Sequence, residues 1–177
     1  MIVCGVDPSL TQTAVVIGTS PTDFRVSFHR SKPLGDRVCH RVARYDSLVA
    51  SVMKSINDVR DEALGVTIKV FVEGYAYGAK MNREILGEFG GILRWHLVDI
   101  DAGLEEIAPM MLKKFATGKG AGKKDQMMMH VQKNWGYEAK TSDDCDAYSL
   151  FRLGLCVCNL DQPANQTQRE VVGKLRF

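Results

Sequence analysis

The chain opens with three short apolar segments that predict neighbouring β-strands. Residues 2–7 are a continuous apolar run that stops at Asp7-Pro8, as is typical of a buried strand. Residues 13–18 are a second apolar run, and residues 24–28 alternate between apolar and polar positions, as a half-buried strand does. Because the links between these segments are short, we expect antiparallel hairpins.

The spacing of apolar residues then changes to three or four, which predicts a long amphipathic helix that ends near Gly65. The apolar positions of this helix are Val38, Val42, Tyr45, Leu48, Val49, Val52, Ile56 and Val59.

Strands and helices alternate in the rest of the chain. We predict a strand at 67–73, a helix at 80–98, a weak strand at 104–108, and helices at 109–116, 124–134 and 143–158. Strands separated by helices pair in parallel, so this order predicts an α/β fold, a mixed five-stranded sheet with helices on both faces. We assign residues 1–160 to one domain and residues 161–177 to a loose polar tail.

Composition narrows the class of protein. The chain has 177 residues, 45% hydrophobic and 25% charged, which excludes a disordered chain, a collagen and a coiled coil. No apolar run approaches the roughly 20 residues of a membrane span, and the N-terminus lacks the features of a signal peptide. We therefore expect a soluble cytoplasmic protein, of a cell or of a phage-infected host, with no membrane partner.

The cysteines do not indicate a disulfide framework or a zinc site. Their number, five, is odd, and Cys156 and Cys158 are too close together for a zinc knuckle. Reduced thiols fit best.

Four acidic residues are candidates for a metal site. Asp7 and Glu73 end predicted strands, where open α/β sheets place their sites, and Asp143 and Asp146 lie three apart on one helix face. The apolar remainder of that helix should pack on the sheet and bring its acidic start to the strand ends. Converging carboxylates repel one another unless cations join them, and Mg²⁺ prefers oxygen ligands. Two such ions stabilise the attacking oxygen and the leaving oxygen when a phosphodiester is hydrolysed.

Each acid also has a purely structural interpretation, as a turn former or a helix cap. Asp144 fits this interpretation best, because an acid in a first helical turn favours the helix dipole, and Ser142 is a candidate N-cap.

Basic residues cluster in one short segment, although the net charge is only +2. They are Lys113, Lys114, Lys119, Lys123 and Lys124. Point charges of this kind suit phosphate, and the alternative is a solvated loop. Arg37, Arg41 and Arg44 recur on one face of the long helix, where they either extend a DNA path or form a solvated face.

Together these segments resemble the RuvC family of Holliday junction resolvases, which have a ribonuclease H-like fold. The resemblance covers residues 1 to about 158. It rests on the runs that end at Asp7-Pro8-Ser9 and at Val72-Glu73, on Leu86-Gly87-Glu88 with Gly91, on Lys113 with Gly118-Lys119-Gly120 and Lys124, and on Asp143-Asp144-Cys145-Asp146-Ala147.

The resemblance implies a Mg²⁺-dependent crossover junction endodeoxyribonuclease, a hydrolase of DNA recombination and repair that leaves 5′-phosphates on branched DNA. It implies two Mg²⁺ ions per site, for which Mn²⁺ substitutes, and a homodimer with its contact on the helix at 80–98. The metal-binding catalytic acids would be Asp7, Glu73, Asp143 and Asp146, and Lys113 and Lys124 would lie near the scissile phosphate.

Departures from the family pattern indicate a divergent, phage-type member. Ser9 stands where the cellular enzymes have glycine, and Ala76 stands where the family often has an aromatic residue near the junction centre. Tyr75 and Tyr77 flank it as candidates for base stacking, with core packing or a loop anchor as the alternative.

Other functions stay open at this stage. One is a related nuclease of the same fold that acts on RNA–DNA hybrids, flaps or other branches, and another is a non-catalytic junction-binding module. Gly5-Val6-Asp7 with Thr11 and Thr13 is also weakly similar to the phosphate loop of actin-like ATP-binding folds, although those need two such domains.

Overall fold

The computed structural model describes residues 1–75, 83–100, 103–120 and 124–175, and leaves the side chains of Arg83 and Lys124 undescribed. Its elements are β1 (Ile2–Asp7), β2 (Gln12–Ser20), β3 (Asp23–Arg30), α1 (Val38–Glu62), β4 (Ile68–Glu73), α2 (Arg83–Ile100), β5 (Glu105–Ile107), α3 (Pro109–Thr117), α4 (Lys124–Trp135), α5 (Ser142–Val157) and α6 (Gln166–Gly173). The predicted order of strands and helices is confirmed as far as α5.

The five strands form one mixed sheet in the order β3-β2-β1-β4-β5. Strand β2 pairs antiparallel with β1 and with β3, as the short links require. Strand β4 pairs parallel with β1 and with β5, because a helix connects the strands of each crossover. The predicted α/β fold is therefore confirmed.

Two hydrophobic cores cover the two faces of this sheet. Val6 and Val72 belong to the core beneath α1 and α2, whereas Val3 and Phe71 belong to the core beneath α3, α4, α5 and α6. This split follows from the alternation of side chains along each strand.

The apolar face of α1 packs on the sheet through Tyr45 and residues further along the helix, including Val52 and Ile56. The prediction is wrong for Val38 and Val42, which are 64% and 53% exposed. The first turns of α1 therefore lie outside the core.

The loose polar tail predicted from Asp161 is also wrong, because this segment contains α6. Asn165 caps the helix, and Val171 and Val172 are buried in the core that α3 and α5 share. Two adjacent apolar residues in a polar segment have no helical period, so the sequence pattern does not reveal this helix.

Helix α2 has one buried and one exposed apolar face. Phe89, Leu93 and Leu97 are buried against the sheet, whereas Trp95 and Val98 are 73% and 51% exposed.

None of the helices within the described residues is long and apolar enough to cross a membrane.

Candidate metal centre

Asp7 and Glu73 are neighbours at the carboxyl ends of strands β1 and β4. In the parallel pairing of β1 with β4, Val6 is opposite Val72, so each acid is the next residue of its strand. Because side chains alternate, both acids have the phase of the residues that face α5. Strand register thus places two carboxylates side by side beneath the start of a helix.

Gly5 allows α5 to approach β1 closely. A Cβ atom on Gly5 would lie 2.3 Å from the carbonyl oxygen of Ala147 and 2.5 Å from the backbone nitrogen of Phe151, so no larger residue fits without a shift. Asp146 directly precedes Ala147, and the close approach brings it to Asp7. The sequence pattern does not show which helix lies over Gly5, although a glycine inside an apolar strand often marks such a contact.

Hydrogen bonds through Thr141 and Asp144 fix the start of α5. The N-cap is Thr141, not the predicted Ser142, and its hydroxyl accepts the backbone N–H of Asp144 at 3.1 Å. The buried carboxylate of Asp144 accepts the Tyr137 hydroxyl and, at 2.8 Å, the backbone N–H of Lys140. Asp144 therefore has a structural role, as its position in the first turn predicts.

Three of the predicted acids converge closely. Asp7, Glu73 and Asp146 each offer a carboxylate oxygen, and these three oxygens lie within 4.8 Å of one another. They open into a cavity of about 300 Å³ that Asp143 and Lys113 also line. The structure thus brings all four predicted acids and one predicted lysine to a single cavity.

The environment of Asp7 favours a bound cation. Burial raises the pKa of Asp7 well above its usual value, and the like charges of Glu73, Asp146 and Asp143 raise it further. A divalent cation would offset this repulsion, and a donor set made only of carboxylate oxygens suits Mg²⁺ or Mn²⁺. The residues present therefore fit a divalent metal site.

Other lysines of the basic segment point elsewhere. Lys114 forms an ion pair with Glu170 of α6, with 3.1 Å between Nζ and Oε2. Lys119 lines a separate cleft between α3 and α4, together with His130 and Lys133.

Three predicted DNA-binding residues are not placed in full. Lys123 and Tyr77 lie outside the described residues, and Lys124 begins α4 with its side chain undescribed.

Arg94 connects α2 to the end of β4, a contact that the sequence analysis missed. Its guanidinium donates to the backbone carbonyls of Glu73 at 2.8 Å and Gly90 at 3.1 Å, and it pairs with Glu106 at 2.7 Å. The same guanidinium covers the ring of Tyr75, 4.2 Å from its centroid. This packing favours the loop-anchor interpretation of Tyr75. Long-range contacts of this kind leave no motif in a sequence.

Known structures share this fold. RuvC of Thermus thermophilus superimposes with a TM-score of 0.65 and 16% identity, over 99% of this chain and 96% of that chain. Thermus thermophilus RuvC in complex with a Holliday junction substrate gives 0.62 and 18%, over 85% and 90%. The yeast mitochondrial Holliday junction resolvase Ydc2 gives 0.52 and 11%, over 98% and 81%. No protein-family model and no curated protein matches the sequence. The similarities confirm the predicted RuvC-type, ribonuclease H-like fold.

Proposed function

We propose that this chain is a metal-dependent endonuclease that cleaves branched DNA, with four-way junctions as its substrate. The observation that carries the proposal is the convergence of Asp7, Glu73 and Asp146 in a cavity whose wall includes Lys113. The shared fold supports it, since one of the similar structures is RuvC with a Holliday junction substrate. We assign its role to DNA recombination and repair in the cytoplasm of a cell or a phage-infected host.

The four acids would hold the metal. Asp7 is the most buried of them and has Glu73 and Asp146 as close neighbours, so these three acids, with Asp143 completing the set, would hold two Mg²⁺ ions. Mn²⁺ should substitute, since it takes the same ligands. When bound, the ions supply charge neutralisation at the phosphate and a more acidic water.

The side chains of the cavity position the substrate for hydrolysis. Lys113 would donate to a non-bridging phosphate oxygen, and we assign Lys124 to the same task. A water oxygen forms a bond to phosphorus in line with the departing O3′, and the P–O3′ bond breaks. The products are a 5′-phosphate and a 3′-hydroxyl. Each well-placed donor to the developing charge is worth about 3–4 kcal/mol.

A cleavage assay on a synthetic four-way junction tests the proposal. We expect cutting with Mg²⁺ and none in its absence. Asp7→Asn should still bind the junction but lose Mg²⁺-dependent cutting, whereas Asp46→Asn, an exposed acid on α1, should cut like the parent chain. Cutting by Asp7→Asn near the parent rate would overturn the assignment of the acids.

The alternatives give different results in the same assay. Faster cutting of three-way junctions, flaps or RNA–DNA hybrids would identify a related nuclease of the same fold. Tight junction binding in Mg²⁺ without any product would identify a non-catalytic binding module. Measurable ATP binding would support the actin-like alternative.

We also propose a homodimer formed through α2, which would place two cavities on one junction. The exposed apolar face of this helix includes Ile92, Trp95 and Val98, and a Cβ atom on Gly91 would meet no atom of the described residues within 4 Å. A second copy of the helix could therefore approach closely there, and its contact would cover this apolar surface.

A further inference from the structure

Five cations follow one another between the end of β3 and the second turn of α1. They are Arg30, Lys32, Arg37, Arg41 and Arg44, which we call the β3–α1 surface. The same stretch contains one carboxylate, that of Asp36, so it is strongly basic in a chain whose net charge is +2.

Three of these cations are available to a ligand. Arg30, Lys32 and Arg37 are exposed, and none of them forms an ion pair with another residue of the described ranges. Arg41 is partly neutralised by Glu88, with 3.6 Å between Nη2 and Oε1. The exposed positive charge therefore lies mainly on the first three residues.

The β3–α1 surface lies at the same end of the strands as Asp7 and Glu73. Arg30 is opposite Gln12 at the start of β2, and Asp7 is opposite Ala14 on the same strand. Strands β3 and β1 therefore finish at the same end of the sheet, and β4 also finishes there, with Glu73.

Hydrogen bonds join this surface to the elements that carry the acids. Arg30 Nε donates to Gln12 Oε1 at 2.7 Å, and Gln12 Nε2 donates to the hydroxyl of Thr141, the N-cap of α5, at 3.1 Å. Arg44 Nη2 donates to the carbonyl of Leu10, in the loop that follows Asp7, at 2.8 Å. The surface is therefore held next to the acid cavity.

A small cleft in this surface has an unused donor. It has a volume of about 240 Å³ and is lined by His40, Arg41 and Arg44, among others. The Nε of Arg41 is buried there and has no hydrogen-bond partner among the residues that the structure describes. Buried donors are normally hydrogen-bonded. A phosphate oxygen in the cleft would accept a hydrogen bond from this donor.

We propose that the β3–α1 surface binds the phosphate backbone of a DNA duplex arm where the arm leaves the active site. This inference rests on the proposed function. In the sheet order, Asp7 and Glu73 stand on β1 and β4, with Lys113 on the helix after β5 to one side of them and this surface after β3 to the other. Cations thus lie on both sides of the cavity, as a duplex that passes over it requires.

Junction binding by a charge-neutralised variant tests this inference. Lys32→Gln/Arg37→Gln is made in the Asp7→Asn chain, and its affinity for a labelled four-way junction is measured by fluorescence anisotropy at several salt concentrations. Lys54→Gln/Arg60→Gln is the matched control, because it removes two exposed charges on α1 that are both paired with acids.

We expect the test variant to bind about 10-fold more weakly near 100 mM salt, and to lower the slope of log affinity against log salt by roughly 2. The control should bind within about 2-fold of Asp7→Asn, with an unchanged slope. Equal behaviour of the two double variants would overturn the inference while the proposed function stands. If Asp7→Asn binds no junction and the parent chain cuts none, the proposed function fails and the inference fails with it.

Discussion

The guanidinium of Arg94 donates a hydrogen bond of 2.8 Å to the backbone carbonyl of Glu73, the residue that ends β4 with an acid of the candidate site. The side chain of Arg94 is only 15% exposed, and an ion pair with Glu106 on β5 fixes its position. Arg94 thus holds the backbone of one metal-binding candidate from outside the cavity.

We predict that Arg94→Ala lowers Mg²⁺-dependent cleavage by about 10-fold or more, the usual size of effect when a supporting contact of a metal ligand is lost. The concentration of Mg²⁺ that gives half-maximal cleavage should rise, because Glu73 is less well placed. Arg94→Lys keeps the positive charge and one donor nitrogen, so it should recover part of the lost cleavage. An unchanged metal requirement in Arg94→Ala would show that the contact only stabilises the fold.

Gly5 provides a second prediction, because α5 leaves no room for a side chain there. Gly5→Ala should destabilise the protein by about 1–3 kcal/mol, the usual cost of overpacking a core. It should also weaken metal binding, since the added methyl group pushes Asp146 away from Asp7. Urea unfolding measures the first effect and a Mn²⁺ titration the second.

The matched control for this change is Gly173→Ala on α6, where a Cβ atom would meet nothing within 4 Å in the described part of the chain. There the same substitution should stabilise the helix by about 0.5–1 kcal/mol, because glycine is a poor helix former. If both variants are as stable as the parent chain, the close approach of α5 to Gly5 is not rigid.

His29 predicts a dependence of stability on pH. It is buried between β3 and α1, where its Nδ1 is 2.8 Å from the hydroxyl of Ser51 and its Nε2 is 2.9 Å from that of Ser27. Burial lowers its pKa below 6.5. As the pH falls, His29 therefore becomes protonated in the unfolded chain at a higher pH than in the folded chain. The free energy of unfolding should then decrease as the pH drops below about 6.5.

His29→Gln should flatten this dependence, although its absolute stability should be lower. His96→Gln, at an exposed position on α2, should keep the slope of the parent chain. Urea unfolding between about pH 5 and pH 7.5 measures all three proteins. Equal slopes for His29→Gln and the parent chain would contradict the prediction.

The convergence of the acids could be predicted because local rules fix most of it. Short links set the hairpin of β1 and β2, a helical crossover sets β4 parallel to β1, and the carboxyl ends of parallel strands share an edge. Asp7 and Glu73 at strand ends, together with Asp143 and Asp146 at the start of an apolar helix, were enough to indicate a common site.

What could not be predicted depends on contacts between distant parts of the chain. The roles of Gly5 and Arg94 require knowing which helix lies over β1 and which lies beside β4. Val38 was expected in the core because it keeps the helical period, but a period does not show where a helix leaves the sheet. Lys114 was expected at DNA, whereas its ion pair with Glu170 depends on α6, which has no apolar period.

The exposed face of α2 gives the last prediction, which concerns the proposed homodimer. Trp95 is 73% exposed, and a carboxylate in its place would be buried without a partner at a dimer contact. Trp95→Glu should therefore convert a dimer to a monomer at micromolar concentration. We expect this variant to nick one strand of a four-way junction without the paired second cut, because only one cavity would remain on each junction.

Leu64→Glu is the matched control, since Leu64 is 89% exposed near the end of α1, on another part of the surface. It should remain dimeric and keep paired cutting. Sedimentation velocity gives the oligomeric state of each protein, and a supercoiled plasmid with a cruciform distinguishes a nicked product from a linear one. A parent chain that sediments as a monomer, or a Trp95→Glu variant that stays dimeric, would rule out α2 as the contact. The second outcome is decisive because an unpaired charge at the centre of an apolar interface costs about 3–5 kcal/mol.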